Sequence, residues 1–170
     1  TKDGDQSNAL EAHANSPLID DTLAARVAIY NVKEGGYINN IRSTKQISLA
    51  NPGFGGTVPD TRATARNDSL VKDNFNDATY QGYRLGLSWA PNENWDLELQ
   101  HTSQEIETDG VWDYDPLLGD LNSESFQPDY ADDEFDLTAW TVSGRIANLD
   151  LLYTGSYLDR TVEGISDYSG

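Results

Sequence analysis

The 170-residue chain contains no cysteine and no methionine. The first absence excludes a disulfide framework and thiolate metal sites. It assigns no compartment, because a protein that passes through an oxidising space can avoid thiols altogether. The second absence leaves no initiator in view. The chain opens on TKDGDQ, with no basic segment followed by an apolar one, and so reads as a mature product or an internal fragment. Bases are scarce: 11 Lys and Arg stand against 29 Asp and Glu, for a formal net charge of −18. From Leu85 to Gly144 there is no Lys or Arg at all, yet that window holds Glu93, Asp96, Glu98 and twelve more acids from Glu105 to Asp136. Phosphate contacts need bases, so no nucleic-acid partner is expected. A polyacidic face favours cations or simple solubility. Long hydrophobic runs are missing too. None approaches the roughly 20 residues of a membrane helix, though barrel strands give a far weaker signal and are untouched by that argument.

What the chain does have is alternation of period two. In TYQGYRLGLSWA, Tyr83, Leu85, Leu87 and Trp89 share one face, and Arg84, Gly86 and Ser88 the other. In WDLELQHTSQEI, Trp95, Leu97 and Leu99 alternate with Asp96, Glu98 and Gln100. Between them lies PNEN, Pro91 to Asn94, where Pro presets φ and Asn tolerates the left-handed region. This is a strand-turn-strand unit. LAARVAIYNVK sets Leu23, Ala25, Val27 and Ile29 on one face, with Arg26 opposite. LDLLYTGSYLDR does the same with Leu149, Leu151, Tyr153 and Tyr157. FDLTAWTVSGRI begins with Phe135 and Leu137 on one parity and continues with Trp140, Val142 and Ile146 on the other, which suggests a bulge or two buried faces. QSNALEAHA adds a weaker strand signal.

The expected fold is therefore all-β, a single region over residues 1–170. It is an antiparallel meander of about six strands, near 5–15, 23–33, 79–90, 95–106, 133–146 and 149–160. SPLIDDT, PNEN and AN are short connections, while 34–78 and 107–133 are long. A compact soluble domain seldom needs two structureless loops of that length. An outer-membrane barrel has this asymmetry, with short turns on one side and long loops on the other. Trp89 and Trp95 flank a short turn on the apolar face, where an aromatic membrane girdle would lie. Arg84, Asp96, Glu98 and Gln100 would face a wet lumen. Alternation alone fits equally an ordinary antiparallel sheet with one face on a core and one in water.

The segments PLIDDTLAARVAIYNVKEGGYINN, NPGFGGTVPDTRATARNDSLVKDNFNDATYQGYRLGLSWAPNENWDLELQ, QEIETDGVWDYDPLLGDL and LDLLYTGSYLDR resemble the early barrel strands of proteobacterial TonB-dependent outer-membrane receptors. The resemblance runs from about Pro17 to the end and rests on loose motifs occurring in the family's order. It implies a barrel of about 22 strands with a plug, set in the bacterial outer membrane. The lipid bilayer and the TonB system would be its partners, and ligand uptake its task. The chain departs from that pattern: plug and TonB box are absent, and about six strands cannot close a barrel of that size. It reads as a segment of a receptor. Alternatively it is a receptor-derived fragment in a refolded cross-β or filament arrangement. Copies would then self-associate through open edges into an extracellular, amyloid-like fibril with a structural role.

The stretch QEIETDGVWDYDPLLGD, Gln104 to Asp120, carries six acids. Asp109, Asp113, Asp115 and Asp120 are candidate oxygen ligands for Ca²⁺, although the spacing lacks the EF-hand order. A solvated loop is the plainer alternative. Trp112 and Tyr114 could stack on a ligand, or simply pack the loop. No carboxylate pair is marked for acid–base work on a sugar, so no enzyme activity, catalytic residue or organic cofactor is expected. GFGG, Gly53 to Gly56, lacks the following Lys and Ser/Thr of a phosphate loop and reads as a flexible turn. NDS at Asn67 fits a glycosylation acceptor only in a secretory eukaryotic context, which nothing supports. His13 and His101 leave a two-His metal site possible but unmotivated, and His101 is expected near a strand end.

Overall fold

The computed structural model describes residues 4–48 and 62–167. Their strands are β1 (Asn8–Ile19), β2 (Leu23–Glu34), β3 (Asn39–Asn40), β4 (Thr44–Ser48), β5 (Arg62–Arg66), β6 (Ala78–Asn92), β7 (Trp95–Asp109), β8 (Asn122–Ser123), β9 (Tyr130–Ile146) and β10 (Leu149–Ile165). Among the described residues there is no helix. Six strands form one sheet in the order β1-β2-β6-β7-β9-β10, and every neighbouring pair is antiparallel. The chain is an all-β meander of six long strands with two open edges, β1 and β10, and no closed barrel. The turn expected at Gly53 to Gly56 lies outside the described residues.

The registers put the alternating apolar sets on one face. Leu23 pairs with Trp89, Ala25 with Leu87, Val27 with Leu85 and Ile29 with Tyr83. Trp89 pairs in turn with Leu97 and Leu87 with Leu99. Leu97 meets Val142, Leu99 meets Trp140, and Val142 meets Tyr153. The parity change in β9 is not a bulge, because its ladders with β7 and β10 run without a register shift. Phe135 and Leu137 simply fall on the opposite, mostly polar face. The strands also run past their apolar stretches: β7 continues to Asp109 and β9 starts at Tyr130. The first strand lies later than its expected place. Ser16 to Ile19 join the ladder with β2, since Pro17 is tolerated on an edge strand. A register shift sits between Pro17 and Ile19.

Each short turn uses different chemistry. Asp21 takes φ 55° between β1 and β2, a conformation short polar side chains tolerate. Between β6 and β7 the Asn residues do not use the left-handed region. Asn94 N donates to Asn92 Oδ1 at 3.0 Å, and a register shift spans Trp89 to Asn92, around Pro91. Between β9 and β10, Ala147 sits at φ 56°, where a Cβ is strained.

Glycines seat two aromatic rings across the ladders. A Cβ on Gly144 would lie 2.4 Å from Trp95 Cε3, and the two residues are direct β7–β9 partners. A Cβ on Gly155 would lie 2.7 Å from Trp140 Cζ2, across the β9–β10 ladder.

Among the described residues, no second layer covers either face of the sheet. Most of the buried residues lie in the long connections, namely Ile38 and Phe75 with the polar Asn40, Asn67, Asn76 and Ser125; Ala78 opens β6 and Thr102 is buried within β7. Both long connections carry short strands, and residues 34–78, rich in Gly, Asn, Asp, Ser and Thr, are a stretch where the sequence leaves room for a small strand or helix. The first holds β3, β4 and β5, and the second holds β8. β3 and β8 join the two connections as a parallel pair, and β4 pairs with β5. Buried asparagines complete the lattice. Asn40 Nδ2 donates to Leu70 O (2.8 Å) and to Ser125 O (3.3 Å), and its Oδ1 accepts from Ser125 N (2.8 Å). Asn76 Oδ1 accepts from Tyr37 N and Ile38 N. Asn67 Oδ1 accepts from Ser43 N while its Nδ2 donates to Ile41 O. Asn67 is fully buried, which leaves its Nδ2 no room for a glycan, so the NDS tripeptide is structural.

Two outcomes follow. Ala147→Gly should stabilise the fold by up to about 1 kcal/mol, the left-handed penalty less the entropy of glycine, read as a rise in the urea midpoint. Asn40→Ala strands several buried backbone groups, each costing about 1–3 kcal/mol. Limited proteolysis should then cut the loop layer faster while far-ultraviolet dichroism keeps its β signal.

Candidate functional site

Three surfaces could carry a function. The first is the apolar face near the short turns. Val27, Ile29, Leu85, Leu87, Leu99, Leu149, Leu151 and Tyr153 are 38–69 % exposed there. Trp89 and Trp95 stand at the turn end. Trp89 is 44 % exposed, and Trp95 is half-buried over Gly144. Tyr83 and Tyr157 mark the other limit. Beyond them the same face turns polar. From turn to tyrosines the band runs about six to eight residue steps, about 20–26 Å along the strands.

Beyond the band the acids of the sequence are stacked in register. Glu105 faces Glu134 and Glu107 faces Asp132. Asp136 faces Asp159, and Asp132 also faces Glu163. Directly opposed like charges are unfavourable, so these exposed strand ends draw in cations from solution. His101 lies at the boundary, in mid-strand rather than at a strand end. Its Nε2 is 3.6 Å from Asp136 Oδ1, and its Nδ1 meets Thr138 Oγ1 at 2.9 Å.

The second surface is the polar face. Arg26, Ser88, Glu98, Gln100 and Thr141 line a groove of about 590 Å³ that reaches across β1, β2, β6, β7 and β9. Tyr30 Oη donates to Gln104 Oε1 at 2.6 Å on the same side. Arg160 binds Asp133 through Nε at 2.8 Å. Asp133 lies beyond the apolar band, and the hydrogen bond from Arg160 holds its carboxyl below the usual carboxylate range. His13 belongs to this face, opposite Ala28. His101 belongs to the other, opposite Leu85, so no two-His site forms.

The third surface is the loop layer. The four candidate calcium ligands do not converge on one point. Asp109 ends β7 and pairs with Lys72 at 3.7 Å. Asp115 Oδ1 accepts from Leu117 N at 2.8 Å, holding a turn. Asp113 and Asp120 are exposed on the same connection. Among the described residues no three His, Asp or Glu side chains gather as metal ligands. Trp112 and Tyr114 are 46 % and 45 % exposed. Trp112 meets Tyr37 edge to face, ring centroids 6.3 Å apart at 69°. Both border a groove of about 470 Å³ with Asp5, Asn8 and Glu34.

Sequence reasoning did not single out Tyr37, or Tyr83 and Tyr157 as a second aromatic boundary. For the tyrosines a signal existed: both keep the parity of their strand's apolar set and end its run. For Tyr37 there was none, because its partner Trp112 is 75 positions away in sequence.

The scattered carboxylates set an expectation. Calcium titration should give weak heat without saturation, and Asp115→Asn should leave it unchanged. A saturable isotherm lost in that variant would restore the calcium loop. No family model, no curated protein and no solved structure matches this chain.

Proposed function

We propose that this chain is part of the β-barrel of a TonB-dependent outer-membrane receptor, with a transport role in ligand uptake. The supporting observation is the uncovered apolar band, with Trp89 and Trp95 at one limit and Tyr83 and Tyr157 at the other. Outer-membrane barrels carry an outward apolar band about 25 Å tall between aromatic girdles. Here the turn-bearing edge would be periplasmic and the asparagine-tied loop layer extracellular. The groove beside Arg26 and Glu98 would face the lumen, where such side chains stay hydrated. The edges of β1 and β10 would pair with neighbouring barrel strands. The bilayer, the remaining barrel and the TonB system are the partners this reading requires.

Those same open edges favour a second reading, a receptor-derived fragment assembled into an extracellular β-rich filament. Edge strands of this length pair readily with other chains. Such copies would satisfy β1 and β10 without any lipid.

Adjacent residues separate the two. In a bilayer, Leu87→Arg should cost about 2–4 kcal/mol, the penalty for a cation on the lipid face near mid-membrane. Ser88→Arg, one residue on and facing the lumen, should be nearly neutral. Equal losses at both positions in reconstituted protein would sink the lipid-facing assignment. Filaments in a detergent-free preparation, with a main-chain repeat near ~4.8 Å, would support the second reading instead.

A further inference from the structure

The loop layer holds an aromatic corner that none of its structural ties explains. Tyr37 follows β2, and Trp112 comes from the connection after β7. Their rings stand at 69° with centroids 6.3 Å apart, so two π surfaces meet nearly at right angles. Trp112 is 46 % exposed. The corner opens on a groove of about 470 Å³, bordered also by Asp5, Ser7, Asn8 and Glu34.

The polar groups there are preset. Asp5 is fixed through both backbone and side chain. Its N donates to Gly36 O at 2.9 Å, and its Oδ1 accepts from Asn74 Nδ2 at 3.0 Å, leaving Oδ2 for a further donor. Ser7 Oγ accepts from Gly35 N. Glu34 has no ion-pair partner among the described residues. Lys33 also borders the groove, and its ammonium is drawn towards Asp77, 3.7 Å away. Two aromatic faces beside two carboxylates, on a chain of net charge −18, match one ligand chemistry. A cation over an indole face is attracted by the ring quadrupole, and quaternary ammonium groups are held in aromatic cages of this kind. The carboxylates supply the counter-charge at the rim, and the excess of acids raises the local cation concentration.

We infer that the groove between Tyr37 and Trp112 binds an organic cation of the alkylammonium class. The ammonium lies in the aromatic corner, with Glu34 and Asp5 as counter-ions. The site uses residues from one end of the sheet, so it exists in a barrel and in a filament alike. Its failure therefore leaves the membrane reading standing, and the converse.

The test is calorimetric titration of the full chain in non-ionic detergent. Choline is the probe, and 3,3-dimethyl-1-butanol, which has the same shape without the charge, is the control. Choline should bind saturably and at least about tenfold more tightly than the neutral alcohol. Trp112→Ala should abolish binding, and Glu34→Gln should weaken it about threefold to tenfold. Trp112→Phe, which keeps a ring in the corner, should retain part of the affinity and guards against a folding defect in the alanine variant. A flat choline titration would overturn the inference. So would equal affinity for the neutral alcohol, or binding unchanged in Trp112→Ala.

Discussion

Among the described residues, the apolar face of the six-stranded sheet has no second layer above it. Burying one large apolar side chain is worth about 1.5–3 kcal/mol, and the band leaves many of them 38–69 % exposed. Monomeric proteins in water rarely carry a contiguous apolar patch larger than a few hundred Å². Whatever covers this face must therefore come from outside the described residues. That demand orients everything else. It leaves the polar groove to the opposite face. It also explains why most of the buried residues sit in the loops rather than beneath the sheet. A sandwich would place its core between layers; here most of the buried residues among those described lie at one end.

That end is held by polar bonds. Ordering two long connections costs backbone entropy of about 1–2 kcal/mol per residue, and Ile38, Phe75 and Ala78 are too few to offset it. The asparagines supply the difference. Each buried amide offers donors and an acceptor at once, so Asn40 can tie Leu70 and Ser125 together. Those residues come from separate connections. Aspartate could not replace it, lacking the donors. The cost of such a lattice is its intolerance: one missing partner leaves a buried group unpaired. Asn76 Nδ2 is such a group: it is buried and has no partner among the described residues.

The long strands were legible because period-two alternation survives any tertiary context. Leu85, Leu87 and Trp89 share a face whatever covers them. Strand ends were less legible. β7 runs three residues past its expected end at 106, and β9 starts three before its expected start at 133, both in acidic sequence without apolar alternation. The first strand was misplaced for a related reason. Pro17 reads as a breaker, and only edge position makes it tolerable. The loop lattice was invisible in kind. Asn39, Asn40, Asn67, Asn74 and Asn76 look like turn formers, and nothing local says that their amides bond across 24–85 positions. The acidic stretch after β7 suggested gathered ligands because its acids are close in sequence. Strand geometry and the turn at Asp115 send them in different directions.

The acids acquire a different meaning from their register. On the face that carries the band, Glu105, Glu134, Glu107, Asp132, Asp136 and Asp159 begin where the apolar residues end, on three adjacent strands. Moving them into hydrocarbon would cost several kcal/mol each, far more than their mutual repulsion in water at these exposed positions. In a bilayer, then, the band and the acid ladder would act together: the leucines pull the sheet in and the carboxylates stop it. The stop lies at the level of Tyr83, His101 and Thr138, where the ring and hydroxyl groups suit a polar interface. In a filament the same ladder would oppose close stacking of copies and demand screening by salt. The charge distribution thus adds a second constraint to the first. The apolar band requires a covering phase, and the acids limit how far that phase can extend.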